Sequence, residues 1–168
     1  MRLTHYSAVP LGSLHPVEQL AEADMKPQGL WVSDDECAED SWPVWCIAND
    51  FNLEGLRYAY DVTLDPTFHA LVLGTPEAID GFTKEYAVSF EDRFRAEADL
   101  TGLRLPHINS GMWIDWKRVA ARYSGIICTP YIWSRRYGPM WYYVWDCSSG
   151  CIWDVSKIAS VTLRAKAA

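Results

Sequence analysis

Hydrophobic and polar residues in the first half of the chain fall into short runs that predict β-strands. Residues 2–6 (RLTHY) and 30–33 (LWVS) are short and β-favouring, and the alternation at 57–64 places every second residue on one face. The run at 69–75 (HALVLGT) is compact and apolar between a proline and a glycine, which is typical of a buried strand. We therefore expect four strands before residue 76.

Other stretches carry apolar residues at the spacing of an amphipathic helix. Helices are predicted over 15–24, 42–51, 76–86, 114–123 and the first part of 90–105. Ser41 resembles an N-cap with Pro43 just inside the helix, and Thr75–Pro76 starts the helical stretch that runs through Phe82 to Tyr86. The helix over 114–123 is expected to stop at Ser124 and Gly125, with the glycine in the left-handed conformation.

The C-terminal third is read as mostly strand. A strand (IICTPY) follows Gly125, and the alternating segment 141–146 (WYYVWD) predicts another. In that strand Tyr142 and Asp146 would share one face. Residues 151–163 supply one or two closing strands. Strands and helices do not alternate regularly, so the pattern favours one α+β domain over residues 1–168, built on a mixed or antiparallel sheet with flanking helices.

Aromatic content goes beyond what a core of this size requires. The 168 residues include nine Trp and nine Tyr. Flat, rigid side chains suit planar ligands, so some of these rings are expected to line a cleft. The alternative is that they are core residues and cross-strand pairs.

Charge argues against several classes of function. The net charge of −7 and the absence of basic runs longer than Arg135–Arg136 argue against binding to nucleic-acid phosphates. No apolar run approaches a membrane span, and the first residues lack the apolar core of a signal peptide, so a cytoplasmic protein is expected.

Cysteine spacing fits neither a disulfide framework nor a zinc site. The five cysteines at 37, 46, 128, 147 and 151 form no CxxC pair, and we expect them to be reduced and mostly buried, with no bound metal. A catalytic pair with a cysteine nucleophile remains an alternative, with Cys147 or Cys151 as the nucleophile and His5 or His107 beside it. No Gly-x-Ser-x-Gly motif supports a serine hydrolase.

Acid chemistry in the C-terminal half must come from an aspartate, because no glutamate follows Glu97. Asp146 lies among aromatic residues next to a Ser-Ser-Gly turn, where a carboxylate is either paired or functional. Asp154 is the second candidate.

Three short motifs carry a resemblance to a known family. LTHYS near the start, GLWVS at 29–33 and WDCSSGCIW at 145–153 resemble the first-strand, second-strand and acid-bearing segments of the ADP-ribosyltransferase fold. In layout the chain is similar to small phage-encoded anti-CRISPR ADP-ribosyltransferases, in which an aspartate replaces the usual glutamate.

The resemblance implies a site for NAD as substrate. His5 would hydrogen-bond the ribose on the adenosine side or the nearby backbone, with Tyr6, Ser7 and Ser33 in the same pocket. The aromatic residues and arginines implied for nicotinamide and pyrophosphate are Trp31, Tyr142, Arg135 and Arg136. Asp146 would stabilise the positive charge that develops on the ribose when nicotinamide leaves.

The function expected from this resemblance is mono-ADP-ribosylation of a macromolecule. The acidic chain favours a protein target with a basic patch, and a phage or bacterial effector acting against a defence system fits this chemistry. The alternatives are a non-enzymatic protein that blocks a partner and an NAD glycohydrolase. A simple structural role for His5 and a solvated role for the two arginines also remain open.

Overall fold

A mostly antiparallel sheet forms the centre of the structure, a computed structural model that describes residues 1–19, 24–106 and 111–166. The strands are β1 Leu3–Ser7, β2 Leu30–Asp34, β3 Tyr58–Leu64, β4 Ala70–Val72, β5 Ala87–Val88, β6 Trp113–Ile114, β7 Gly125–Cys128, β8 Ser149–Ile152 and β9 Ile158–Lys166. The helices are α1 Trp42–Ala48, α2 Pro76–Tyr86, α3 Phe90–Arg93, α4 Arg95–Thr101, α5 Trp116–Ala120 and α6 Met140–Tyr143.

Seven strands pair in the order β4-β7-β8-β2-β1-β3-β9, and β5 pairs with β6 separately. Only the β4–β7 pair is parallel; the other neighbours are antiparallel. The predicted α+β class with a mixed sheet is therefore confirmed. Within the described ranges, no helix is long and apolar enough to cross a membrane.

The predicted helix starts at Ser41 and Thr75 are confirmed. The Thr75 hydroxyl accepts a hydrogen bond from the backbone N–H of Ala78, and Pro76 occupies the first turn, where its missing N–H costs nothing. Ser41 caps α1 by position, but its hydroxyl donates to the carbonyl of Ala38 instead.

The two faces of the sheet are covered differently. One face packs against helices in a core rich in large aromatic side chains, whose buried members include Phe82, Trp116, Trp141, Trp145 and Trp153. The opposite face holds a smaller aliphatic cluster of Leu3, Leu30, Val32, Val62, Ile127 and Ile152. The large aromatic side chains therefore lie mainly on one side of the sheet.

Several sequence predictions need correction. Residues 141–146 are not a strand, because residues 140–143 form α6 and a turn follows. Trp141 and Trp145 are one helical turn apart, so the same aromatic spacing also satisfies a buried helix face. Residues 15–19 form no helix, and the rest of the helix predicted over 15–24 lies partly outside the described residues.

The strand predicted over 69–75 is present as β4, but it is an edge strand rather than a buried one, with Val72 53% exposed. Gly125 opens β7 and does not adopt the left-handed conformation. A Cβ at Gly125 would lie 2.7 Å from Phe68 Cζ and 2.8 Å from the carbonyl oxygen of Cys151, so close packing explains the glycine.

Because α6 is a helix, Trp141 and Tyr143 should differ in their contribution to stability. Trp141 is fully buried and its Nε1 donates to Thr83 Oγ1 at 2.8 Å, whereas Tyr143 is 42% exposed. We expect Trp141→Ala to lower the free energy of unfolding by about 3–5 kcal/mol and Tyr143→Ala by less than about 1 kcal/mol, as measured by urea denaturation. Equal losses would support the strand interpretation, in which both rings share a face.

Candidate functional site

A cleft opens on the aromatic side of the sheet, where β1 and β2 meet α1. The register that pairs Thr4 with Ser33 places both residues on this face, together with their i+2 and i−2 neighbours Tyr6 and Trp31. The cleft has a volume of about 240 Å³. Its lining side chains include Thr4, Tyr6, Lys26, Trp31, Ser33, Trp42, Trp145 and Ser149. We call it the tryptophan cleft; it is smaller than a typical pocket for a drug-sized ligand, so it suits one part of a larger molecule.

Indole rings form the walls of the tryptophan cleft. The ring centroids of Trp31 and Trp145 are 4.9 Å apart, with the planes tilted by 55°. The ammonium of Lys26 lies 5.0 Å from the centroid of Trp31, a cation–π distance. Desolvation lowers the pKa of Lys26, and the negative charge of Asp146 opposes this shift. One indole face of the cleft is therefore suited to a cationic or planar group.

Trp145 contributes an unused hydrogen-bond donor. It is only 2% exposed, and its Nε1 has no acceptor among the residues that the structure describes. Four other indole N–H groups have acceptors; these belong to Trp116, Trp133, Trp141 and Trp153. A buried donor without a partner costs about 1–3 kcal/mol. The Trp145 ring also lines the tryptophan cleft, with Nε1 itself buried.

A hydrogen-bonded carboxylate lies behind the cleft. Asp35 Oδ2 accepts from Thr4 Oγ1 at 2.7 Å, from Tyr6 Oη at 2.8 Å and from Arg164 Nη2 at 2.9 Å. Burial works to raise the pKa of Asp35, but these donors together with Ser33 lower it on balance. Burial and the neighbouring carboxylate raise the pKa of Tyr6 to about 12. At neutral pH Asp35 is therefore ionised and Tyr6 keeps its proton.

Ser33 and Ser149 connect the cleft to the surrounding backbone. The Ser33 hydroxyl accepts from the backbone N–H of Trp42 at 2.9 Å, which ties the start of α1 to β2. Ser149 Oγ donates to the carbonyl of Cys147 at 3.0 Å. The first contact fixes the backbone of Trp42 beside β2, and the second joins Ser149 to the turn that precedes β8.

His5 and Ser7 do not line the tryptophan cleft. Alternation along β1 directs His5 to the face opposite Thr4 and Tyr6. Its Nδ1 lies 2.8 Å from the carbonyl oxygen of Trp31, so Nδ1 carries the proton and donates. Burial lowers the pKa of His5, and this hydrogen bond opposes the shift. The Ser7 hydroxyl donates to the carbonyl of Val9.

Tyr142 is part of the core. Its ring is fully buried and stacks on Tyr131 with centroids 5.0 Å apart and planes 12° from parallel. Its hydroxyl accepts from the backbone N–H of Ile132, and burial raises its pKa far above the usual value. This ring cannot stack on a ligand, because both faces and the hydroxyl lie inside the protein.

Asp146 lies in a second cavity beside the first. Its backbone is left-handed with φ of 65°, and its carboxylate is 3.3 Å from Arg136 Nη2. The cavity has a volume of about 410 Å³ and is lined mainly by Glu39, Asp40, Val44, Trp45, Trp133, Arg136, Tyr137 and Asp146; we call it the acidic groove. Of the two candidate aspartates, Asp146 is the one whose charge acts on Lys26 in the tryptophan cleft.

The two arginines have separate environments. Arg136 lies over Trp133, Tyr137 and Tyr143 at 5.4, 5.9 and 5.5 Å from their centroids. Arg135 forms a bidentate pair with Asp80 at 2.8 and 2.7 Å and lines neither cavity. Asp154 lines a different cavity, with Arg122 and Tyr123.

The buried thiols argue against a cysteine nucleophile. All five cysteines are free, and Cys147 and Cys151 are both buried. Burial raises the pKa of Cys147 to about 12 and raises that of Cys151 further still, so neither forms a thiolate readily at neutral pH. His107, one possible base, lies outside the described residues. Across the described ranges, no group of three or more His, Cys, Asp or Glu side chains is arranged to hold a metal ion.

The structure therefore brings together Tyr6, Trp31 and Ser33 from the sequence prediction, with Asp146 and Arg136 in the neighbouring groove. The residues that the sequence did not single out are Thr4, Lys26, Asp35, Trp42, Trp145 and Ser149. Alternation from Tyr6 along β1 could have identified Thr4, but nothing local to Trp145 marks its role. Comparison with known protein families, curated proteins and solved structures finds no match to this chain.

The Asp35 network predicts a pH-dependent contribution to stability. The folded-state pKa of Asp35 is lowered, so its stabilisation is present above the unfolded pKa and is lost as the pH falls through the folded value. We expect Asp35→Asn to lower the free energy of unfolding at pH 7 by about 1–3 kcal/mol. The difference from the wild type should shrink below the ordinary carboxyl pKa of 3.8.

Urea denaturation of both proteins from about pH 7 to about pH 2 measures this difference. The exposed Asp99 provides a matched control, since Asp99→Asn should leave stability within about 0.5 kcal/mol. A deficit in Asp35→Asn that stays constant down to the lowest pH would show that packing, and not the ionised carboxylate, is responsible.

Proposed function

We propose that this protein binds NAD with the nicotinamide ring in the tryptophan cleft and transfers ADP-ribose to a protein target in the cytoplasm. The proposal is carried by the N–H of Trp145, which has no acceptor among the described residues and belongs to a ring in the wall of a cleft lined by three indoles. Nicotinamide combines a flat cationic ring with a carboxamide acceptor. The ring suits the indole walls, and the carboxamide oxygen would satisfy the Trp145 donor.

Charge at the cleft supports the same ligand. The Trp31 face already holds the ammonium of Lys26 at 5.0 Å, and desolvation lowers the pKa of that ammonium. A cationic nicotinamide ring would take the same face with Lys26 displaced or neutral. A volume of about 240 Å³ leaves the rest of the dinucleotide outside the cleft.

Asp146 is the proposed stabiliser of the reacting ribose. When the bond between C1′ and the nicotinamide nitrogen breaks, its electron pair leaves with nicotinamide and positive charge develops on the ribose. A nearby carboxylate stabilises that charge. A nucleophile on the target then bonds to C1′ and releases its proton to solvent. Asp146 is proposed for this role over Asp154 because its charge reaches Lys26 in the cleft.

His5 is proposed as a positioning residue in this mechanism. Its hydrogen bond to the carbonyl oxygen of Trp31 fixes the backbone that carries the indole. Arg136 is proposed to pair with Asp146 before the ligand binds. When that ion pair opens, the guanidinium of Arg136 would bind a phosphate of NAD, since its fork of donors suits phosphate oxygens.

Loss of the Trp145 donor should weaken NAD binding specifically. Trp145→Phe keeps a ring in the wall and removes an N–H for which the described part of the chain provides no acceptor. We expect the Kd for NAD to rise about tenfold or more, the equivalent of one lost hydrogen bond. The thermal shift produced by NAD should shrink accordingly. Lys26→Met should tighten binding, because it removes a competing cation. If NAD raises the melting temperature of neither the wild type nor Lys26→Met, the cleft is not an NAD site.

Catalysis should depend on Asp146 and not on Asp154. With NAD labelled in the adenosine portion and a bacterial lysate, we expect the wild type to release nicotinamide and label protein. Asp146→Asn should be slower by about 10²–10³-fold, the usual effect of removing one group that stabilises developing charge. Asp154→Asn should retain activity within about twofold.

Other outcomes assign other functions. Nicotinamide release without labelled protein would indicate an NAD glycohydrolase. If NAD binds but is not turned over in any sample, the protein binds NAD without catalysis, and the proposed transferase activity is rejected.

A further inference from the structure

An exposed apolar ridge runs along α1 and the turn that follows it. The exposed side chains are Val44, Ile47, Phe51 and Leu53, with exposures of 43%, 68%, 50% and 48%; we call them the α1 ridge. In contrast, Cys46 on the same helix is fully buried, so α1 has one face packed inward and one apolar face towards solvent. Contiguous exposed apolar side chains of this kind mark interaction surfaces.

The turn after α1 holds Phe51 in a defined position. Asp50 and Asn52, on either side of it, both have left-handed backbones, with φ of 49° and 46°. Asp and Asn adopt this conformation more readily than other non-glycine residues, and here they turn the chain on both sides of Phe51. The Phe51 ring packs edge-on against Trp42 and Trp45, with centroids 6.0 and 5.5 Å away. Half of the ring stays exposed, although the backbone around it is constrained to place it there.

Charge around the ridge is predominantly negative. From residue 27 to residue 56 the chain has seven acidic residues and no Lys or Arg. Glu39, Asp40 and Val44 line the acidic groove together, and Asp50 and Glu54 lie within the turn itself. Four carboxylates border the ridge, against the nearby cations Arg57 and Arg136, and Arg136 is paired with Asp146. The excess of negative charge makes this apolar surface complementary to apolar side chains flanked by lysine or arginine. The same charge opposes a nucleic acid.

The ridge adjoins both cavities of the candidate site. Trp42 lines the tryptophan cleft and Trp45 lines the acidic groove that contains Asp146. The two rings stack with centroids 5.3 Å apart and planes 10° from parallel, and Phe51 packs on both. A macromolecule bound on the α1 ridge would therefore lie beside the site proposed for NAD.

We infer that the α1 ridge is the docking surface for the protein target, and that the docked segment of the target carries apolar side chains flanked by basic ones. The identity of the docked protein as the acceptor of ADP-ribose rests on the proposed function. The docking surface itself rests on the exposure, backbone constraint and charge of the ridge.

The test compares two matched pairs of exposed apolar residues. Ile47→Ser with Phe51→Ser removes the ridge, and Leu100→Ser with Leu103→Ser removes a second exposed pair, which is 87% and 63% exposed. The probe is a fluorescein-labelled amphipathic peptide of leucine and lysine, with a leucine and glutamate peptide as its charge-reversed counterpart. Fluorescence anisotropy gives the Kd, and a thermal melt confirms that each variant is folded.

We expect the ridge variant to weaken binding of the lysine peptide by about tenfold or more, since central apolar anchors dominate interfaces, and the control pair to change it by less than about twofold. Asp50→Lys with Glu54→Lys should weaken binding of the lysine peptide and strengthen binding of the glutamate peptide. Equal affinity of the lysine peptide for the wild type and the ridge variant would overturn the inference. A dimer of the wild type that the ridge variant abolishes would also overturn it, because the ridge would then join two copies of this chain.

NAD assays separate this inference from the proposed function. The ridge variant should keep the NAD-induced thermal shift and the release of nicotinamide, because neither substituted residue lines the tryptophan cleft, yet label transfer to lysate protein should fall by about tenfold or more. Ridge-dependent peptide binding without any effect of NAD would uphold the docking surface and reject the proposed transferase. Undiminished label transfer by the folded ridge variant would reject the docking surface and uphold the transferase.

Discussion

Burial of Trp141 in α6 and of Trp145 in the turn after it is the interaction on which the rest of this structure depends. Trp141 and Trp145 lie one helical turn apart and are almost completely buried, with their rings 6.0 Å apart at nearly right angles. The indole N–H of Trp141 donates a hydrogen bond to the hydroxyl of Thr83 on α2. The N–H of Trp145 has no hydrogen-bond acceptor among the described residues, and the Trp145 ring forms a wall of the cleft. The helix α6 and the turn after it therefore supply a core anchor, Trp141, and one wall of the cleft, Trp145.

The second determinant is the separation of charge. Asp35 is surrounded by hydroxyls and Arg164, which lower its pKa and keep it ionised behind the cleft. Asp146 pairs with Arg136 at the border of the groove and also acts on Lys26. These two carboxylates have different environments, because Asp35 is held by three donors that fix its position, whereas Asp146 has one long contact to Arg136. The longer contact between Asp146 and Arg136 is consistent with the role proposed for Asp146, in which the carboxylate faces a transient positive charge.

Much of the fold could be predicted from the sequence, because its signals are local. The strands β1, β2 and β3 follow from short β-favouring or alternating runs, and α2 follows from a threonine cap with proline behind it. The strand predicted over 141–146 was wrong, because aromatic residues at 141 and 145 fit both the period of two of a strand and one turn of a helix. Which period applies is decided by packing against distant residues such as Phe82, and a local pattern does not contain that information.

The candidate site was predictable only where it follows strand alternation. Side chains alternate between the two faces along β1 and β2, and the register that pairs the two strands places Tyr6, Trp31 and Ser33 on the same face. The same alternation places His5 on the opposite face. Trp145 joins them from more than a hundred residues away through the tertiary fold, so no spacing could have indicated it.

A physical connection between the cleft and the α1 ridge follows from the stacked pair of Trp42 and Trp45. The backbone N–H of Trp42 is bonded to Ser33 in the cleft, and both rings support Phe51 on the ridge. Ile47 and Phe51 themselves line neither cavity. A partner docked on the ridge would therefore lie next to the cleft while its walls stay in place. On the proposed function, the cleft selects the ligand and the ridge selects the protein that is held beside it.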